Sequence, residues 1–289
     1  MIDPVIFSFN IGSFVFALRW YGVLVMAGVS VGAWFASREV TWRGENGDSI
    51  WDALIWILPA GIVGARLWYV VNAIIGGNSY YLQNPIKIFY VWEGGLHFYG
   101  GLLFGAVAMF FYLRQYKMDI WLFLDAVAPM TLLGQAIARP ANFINQELYG
   151  PPTTLPWGIP IAAAHRIAAY ADLTKYPLET TRFHPVFAYE MIWNFLAVAL
   201  ILYIARRFAG HLKPGAIFFG WLVLAGAGRF WIEFFRPDQP KVGATWITTT
   251  QVATVLMMLV GLLMLAYRYG KIKLPLPALP EQYHIAAKS

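Results

Sequence analysis

The twelve residues Arg139-Pro140-Ala141-Asn142-Phe143-Ile144-Asn145-Gln146-Glu147-Leu148-Tyr149-Gly150 bring a guanidinium, three carboxamides and a carboxylate together at the end of an apolar run. Asn142 and Asn145 stand three apart and share a helical face, with Gln146 beside them and Arg139 one turn before Asn142. A guanidinium fork flanked by amides suits the oxygens of a phosphate. The same groups could equally form a capping network that ties down a loop, and their types alone do not decide. A second constellation is Arg229, Glu233 and Arg236, at i, i+4 and i+7, one stripe of a helix in which Glu233 can pair with either arginine. That stripe keeps a surplus of positive charge, and a guanidinium facing a bundle interior calls for an anion from elsewhere. Arg66, Asp125 and Glu190 also interrupt apolar runs, where each charge costs about 2.5–3.5 kcal/mol on insertion scales. Interhelical ion pairs or snorkelling to the interface account for those three as readily as function does.

The elements that hold these groups must be membrane helices. Of 289 residues, 59% are hydrophobic and 12% charged, against roughly 25% charged in an ordinary soluble domain. The uncharged runs Trp20 to Ser37, Gly94 to Leu113 and Val242 to Tyr267 reach the length a helix needs to cross about 30 Å of hydrocarbon. The pattern predicts an all-α membrane protein, one polytopic domain over 1–289, with seven spans near 20–38, 51–72, 96–114, 119–138, 185–205, 214–235 and 246–268. Arg38 and Arg43, Arg114 and Lys117, Arg206, Arg207 and Lys213, and Arg268, Lys271 and Lys273 follow spans one, three, five and seven. By the positive-inside rule the N-terminus is then outside and the C-terminus cytoplasmic. Residues 1–16 lack a basic n-region, so the first helix is expected to remain as the targeting signal. Ile74 to Trp92 reads as a segment lying in the outer interface. The proline-broken stretch 142–183 reads as a small external cap between spans four and five.

Composition also excludes chemistry. The chain has no cysteine, so disulfides, thiolate metal sites and a thiol nucleophile of its own are ruled out. Any thiol chemistry must use a substrate's sulfur. The net charge of +6 comes without a long basic segment or a basic surface interleaved with aromatics, which argues against nucleic acid and for membrane orientation.

Arg139 followed by Asn142-Phe143-Ile144-Asn145, Glu147 and Gly150 resembles the signature of the prolipoprotein diacylglyceryl transferase family. The resemblance runs over most of the chain: Asp3 to Phe7, Arg19-Trp20-Tyr21-Gly22, Trp92 to Leu96, Tyr99-Gly100-Gly101, His184-Pro185 with Tyr189-Glu190, and Arg229 with Ile232 to Arg236 follow in order. It implies transfer of the diacylglyceryl group of phosphatidylglycerol to the lipobox cysteine of a prolipoprotein in the bacterial cytoplasmic membrane, with no cofactor or metal. It implies further that Arg139 and Arg229 stabilise the departing phosphate, and that Tyr21, Asn142 and Asn145 orient the headgroup. Glu147 and Glu233 would hold the arginines, with Gly150 and Arg236 in the same substrate site. Members often carry a histidine, the proposed base, directly before the Gly-Gly pair; here Tyr99 stands there and His97 two residues earlier. Two residues on a helix is about 200°, so His97 replaces that ring only if the segment is not helical. Tyr99 is therefore expected to orient substrate, and His97 is the candidate base. Ala138, Ala141 and Ala225 also depart from the family pattern, the first two at positions that commonly hold glycine. The competing readings are an anionic-lipid transporter or flippase using the same arginines, which the lack of an internal repeat disfavours, and a scaffold, which the surplus of intramembrane arginine disfavours.

Overall fold

The computed structural model describes residues 2–12, 14–243 and 245–285. The chain divides into two units, one of Met1–Phe35 and Leu124–Gln282, the other of Ala36–Phe123 and Tyr283–Ser289. The long helices are α1 (Trp20–Trp42), α2 (Asp48–Ile75), α4 (Phe98–Gln115), α5 (Ile120–Ala138), α7 (Val186–Arg207), α8 (Ala216–Ile232) and α9 (Thr249–Arg268). Two short helices, α3 (Tyr80–Gln83) and α6 (Pro140–Ile144), lie between them. Among the described residues six helical segments have the length and hydropathy to cross a membrane. The third of the seven expected spans, 96–114, is α4. It begins two residues later than expected, because His97 is extended, and its 18 residues reach about 27 Å, just short of the hydrocarbon thickness.

Small residues let these helices meet. In the second unit Gly64 of α2 faces Gly100 of α4, and a methyl on Gly64 would fall 2.6 Å from the Gly100 carbonyl oxygen. In the first unit Gly28 of α1 faces Gly134 of α5, Gly228 of α8 makes room for the Trp193 indole of α7, and Gly261 of α9 lies against the Phe219 carbonyl of α8. The Trp193 indole donates to the Leu224 carbonyl at 3.0 Å. Without a hydrophobic drive between helices in lipid, such close packing and interhelical hydrogen bonds supply the cohesion.

Two of the intramembrane charges are structural. Arg66 of α2 donates to the carbonyls of Lys87 (2.5 Å), Ile88 (2.9 Å), Gly94 (2.7 Å) and Gly95 (3.3 Å), so it clamps the irregular segment before α4. Asp125 of α5 accepts from the backbone amides of Gly215 (2.6 Å) and Phe218 (2.7 Å). It thereby caps the N-terminus of α8, where first-turn amides have no intrahelical partner. Asp125→Ala is expected to destabilise the protein by about 1–3 kcal/mol, since it orphans one buried and one part-buried donor. A melting temperature in detergent equal to the wild type's would contradict the capping role.

The β structure was not anticipated. Val5–Ile11 (β1) pairs antiparallel with Phe14–Arg19 (β2), Phe9 opposite Phe16. Phe7, Phe9 and Phe16 group their rings, with centroids 5.0 to 6.3 Å apart. The alternation of Phe7, Ser8, Phe9 and Asn10, with Gly12 at φ +61° near the turn, is the signal that spacing-based reading passed over. The stretch read as a cap is irregular, as its prolines require, but it has its own core. Pro152–Thr153 (β3) pairs with Arg182–Phe183 (β4), and Tyr149, Ile161, Tyr170 and Phe183 are buried together. The Tyr149 hydroxyl accepts from the Ile167 amide at 2.7 Å and donates to the His165 carbonyl at 3.1 Å. Buried Arg166 spans the same core, donating to the carbonyls of Ile161 (3.0 Å) and Tyr176 (2.5 Å).

Candidate active site

α5 ends at Ala138, and Arg139 is the N-cap of α6, with Pro140 at its first position. Proline is tolerated there because a first-turn amide has no helical acceptor. The helix lasts only to Ile144, after which Gln146 (φ +54°) and Leu148 (φ +56°) adopt left-handed backbone. Those two residues turn the chain so that Glu147 folds back on the helix it follows. Its amide donates to the Asn142 carbonyl at 2.9 Å, and its Oε1 accepts from Asn142 Nδ2 (2.9 Å) and Asn145 Nδ2 (3.2 Å). The Gln146 side chain accepts from the Ala162 amide at 2.8 Å. Gln146 therefore serves the capping of the following segment, while Asn142 and Asn145 are set by Glu147.

Arg139 does not pair with Glu147. Its Nη2 forms an ion pair with Glu190 of α7, and its Nη1 donates to Asn142 Oδ1 at 3.3 Å. Its Nε is buried and meets no acceptor among the described residues. The expectation that Glu147 holds Arg139 is thus corrected: the turn aims that carboxylate at the amides, and the carboxylate at the guanidinium comes from a neighbouring helix. The sequence carried that signal only as an intramembrane glutamate.

Arg229 Nη2 approaches Glu233 Oε2 to 2.9 Å, and the Glu233 side chain is fully buried. Among the described residues neither Glu233 oxygen receives a well-directed hydrogen bond, so the contact is an ion pair by proximity. Arg229 also lies within electrostatic reach of Glu190, Arg139 and Arg236, which joins the two arginine-carboxylate pairs into one cluster. The third member of the expected stripe departs from it. α8 stops at Ile232, Glu233–Phe235 is a 3-10 turn, and Arg236 is extended (φ −113°), so it does not continue the helical face. Arg236 pairs with Asp238 at 3.2 Å instead of Glu233.

Around this cluster lies an aromatic and histidine wall. The Tyr189 hydroxyl accepts from Trp157 Nε1 at 2.8 Å and lies 2.9 Å from His184 Nδ1. Which of the two donates in the contact between the Tyr189 hydroxyl and His184 Nδ1 follows the tautomer of the imidazole. The His184 ring packs on Phe235, and Tyr189 on Trp231 and Phe235. Trp231 Nε1 is a further buried donor without an acceptor among the described residues. Burial holds the His184 imidazole below its ordinary value of 6.5. The stability that the neutral ring contributes is therefore present above 6.5 and lost as pH falls through the lowered value. On acidification the wild-type melting temperature should fall more steeply than that of His184→Gln; parallel curves would remove His184 from the acid response.

Gly150 is buried, its amide donating to the His184 carbonyl at 2.9 Å. A methyl there would lie 2.8 Å from Val186 Cγ2 and 2.9 Å from the Phe235 carbonyl oxygen, so it is a packing position between the site's elements. Tyr21 stands in the first turn of α1 and is about half exposed. His97 and Tyr99 belong to the second unit. His97 is the extended N-cap of α4 (φ −108°, ψ 124°), its amide donating to the Ala65 carbonyl at 3.0 Å. The extended backbone brings its ring beside that of Tyr99, centroids 5.6 Å apart. The offset of two residues is thus absorbed by non-helical chain, the condition under which the two rings share a side. His97 Nδ1 is buried without a partner among the described residues, and the Tyr99 ring is exposed. Among the described residues no group of three or more histidine, aspartate or glutamate side chains is placed to hold a metal ion.

Comparison with known proteins gives a consistent result. The family model described as prolipoprotein diacylglyceryl transferase matches residues 4–267. A phosphatidylglycerol–prolipoprotein diacylglyceryl transferase of Chloroflexus aggregans is 37% identical over 243 residues, 82% of this chain and 78% of that protein. The protein of the same name from Halalkalibacterium halodurans is 36% identical over 256 residues, 89% of this chain and 84% of its own. The second such transferase of Streptomyces coelicolor is 39% identical over 223 residues, covering 77% and 67%.

Proposed function

The chain belongs to the prolipoprotein diacylglyceryl transferase family, and from that premise we propose that it moves the diacylglyceryl group of phosphatidylglycerol onto the lipobox cysteine of a prolipoprotein. Sulfur bonds to the glyceryl carbon that carries the phosphate, the bond from that carbon to oxygen breaks, and the electron pair leaves on glycerol phosphate. The thiol proton passes to a base. The leaving phosphate gains negative charge in this step, so what accelerates it is fixed positive charge and donors aimed at its oxygens.

The observation that carries this reading is the cluster of Arg139, Glu190, Arg229 and Glu233. It holds two guanidinium groups in place by carboxylates while leaving Arg139 Nε buried and unmet. Arg139 and Arg229 clamp the phosphate. Glu190 and Glu233 orient the arginines, Glu147 orients Asn142 and Asn145, and the two amides with Tyr21 address the glycerol headgroup. Arg236, paired with Asp238, borders the site, and Gly150 keeps its walls in contact. His97, whose buried Nδ1 meets no partner among the described residues, takes the thiol proton, and Tyr99, whose ring is exposed, orients the sulfur. A free thiol near pKa 8.5 is only a small fraction thiolate at neutral pH, so such a base is needed.

The protein is a multi-pass membrane protein, with six apolar helices of crossing length among its described residues. We place it in the bacterial cytoplasmic membrane, with the N-terminus and the cap outside and the C-terminus cytoplasmic, as the lysines and arginines of its short loops imply. The transporter reading has no observation in its favour. Purified protein incubated with phosphatidylglycerol and a lipobox peptide should add one diacylglyceryl mass to the peptide; a folded protein that adds none overturns the proposal.

A further inference from the structure

α7 buries one stripe, which includes Glu190, Asn194, Ala197, Val198, Ile201 and Ala205. Glu190 meets Arg139. Ala197, Val198, Ile201 and Ala205 seal against Leu132 of α5 and Ile217 of α8 in an apolar cluster. Asn194 lies between, one turn beyond Glu190 and one turn before the seal. It is 4% exposed, and its Nδ2 meets no acceptor among the described residues. In a lipid-embedded bundle an unmet amide donor is costly, and leucine would fill the place without that penalty. A helix-to-helix hydrogen bond would account for the asparagine, but among the described residues no side chain or carbonyl accepts from its Nδ2.

The order along this stripe is a guanidinium clamp, a neutral donor, and then apolar packing. A diacyl phospholipid presents the matching order of an anionic phosphate, neutral ester carbonyls and hydrocarbon. One helical turn is about 5.4 Å, the scale that separates a phosphate from the ester carbonyls of the same glycerol. A neutral amide is the fitting donor for a neutral carbonyl, where a second cation would be buried without a counter-charge.

We propose that Asn194 donates a hydrogen bond to an acyl ester carbonyl of the bound phosphatidylglycerol. It thereby selects ester-linked lipid and sets the depth at which the reacting glycerol carbon rests. This rests on the transferase reading and adds a specificity-determining residue to it.

The test compares transfer to one lipobox peptide from phosphatidylglycerol with ester-linked chains and from its diether analogue, whose reacting carbon and phosphate are the same. No ester bond breaks in the reaction, so both lipids are chemically competent donors. The wild type should favour the diester in kcat/KM by about tenfold, the scale of one hydrogen bond between neutral groups. Asn194→Leu should lower diester transfer alone and bring the ratio close to one, while Asn194→Ser, which keeps a small donor, restores part of the preference. Because the ratio is taken within each variant, partial loss of folded enzyme does not move it, and Asn194→Ala serves where the leucine variant cannot be recovered. A wild type that does not discriminate, or a leucine variant that loses both donors equally, overturns the role. A folded wild type that uses neither lipid removes the transferase reading, and this inference with it.

Discussion

Arg139→Lys is expected to lower transfer by about 10²–10³-fold, the loss seen when one preorganised donor to a developing anion is removed. Arg139 engages two kinds of group at once. Nη2 is held by Glu190, Nη1 reaches Asn142, and Nε meets no acceptor among the described residues. An ammonium is a point charge that can meet the carboxylate or the phosphate but cannot copy the fork. The variant should remain folded, since the ion pair with Glu190 can re-form. Its deficit should appear in kcat more than in KM, because the charge being stabilised grows only as the bond from carbon to oxygen breaks. Turnover of the lysine variant within a few-fold of the wild type, measured with phosphatidylglycerol and a lipobox peptide, would exclude the phosphate clamp.

The second large effect is on stability. Glu190→Leu leaves Arg139 without its counter-charge on a largely buried path, where breaking one partner of an ion pair costs about 3–5 kcal/mol. The double variant Arg139→Leu with Glu190→Leu removes both charges and should regain most of that loss, while remaining inactive. Denaturation in detergent alongside the transfer assay separates the two readouts. If Glu190→Leu melts like the wild type, the pair does not hold the site together. If the double variant recovers activity, the guanidinium is not part of the chemistry.

How far these residues were legible in the sequence depends on the separation at which they act. The membrane class follows from composition, and the helices fall close to the predicted spans because uncharged runs of that length admit one solution in lipid. Arg229 and Glu233 were legible because they lie one turn apart. The partner of Arg139 was not: Glu190 is 51 positions away, and the near carboxylate, Glu147, was the natural choice until the left-handed residues Gln146 and Leu148 turned it to the amides. Arg236 was misplaced because the helix was assumed to continue through Glu233 to Phe235, where the backbone tightens to a 3-10 turn. On sequence alone Arg66 and Asp125 stand open between structure and function. What resolves them, carbonyls 21 to 29 residues away and amides 90 or more away, is tertiary and has no local signature.

The grip of Arg66 has a mechanical consequence. The segment from Lys87 to Gly95 and the start of α4 are suspended from two adjacent residues of α2: the Arg66 guanidinium holds the segment, and the Ala65 carbonyl holds the His97 amide. His97 and Tyr99 are therefore referenced to α2, through Ala65 and Arg66 and through the close packing of Gly64 on Gly100. A tilt or rotation of α2 moves the carbonyl and the guanidinium that hold both rings. Tilting is one way in which a stretch as long as the 28 residues of α2 accommodates a thinner bilayer, and any such tilt would move where those two rings stand.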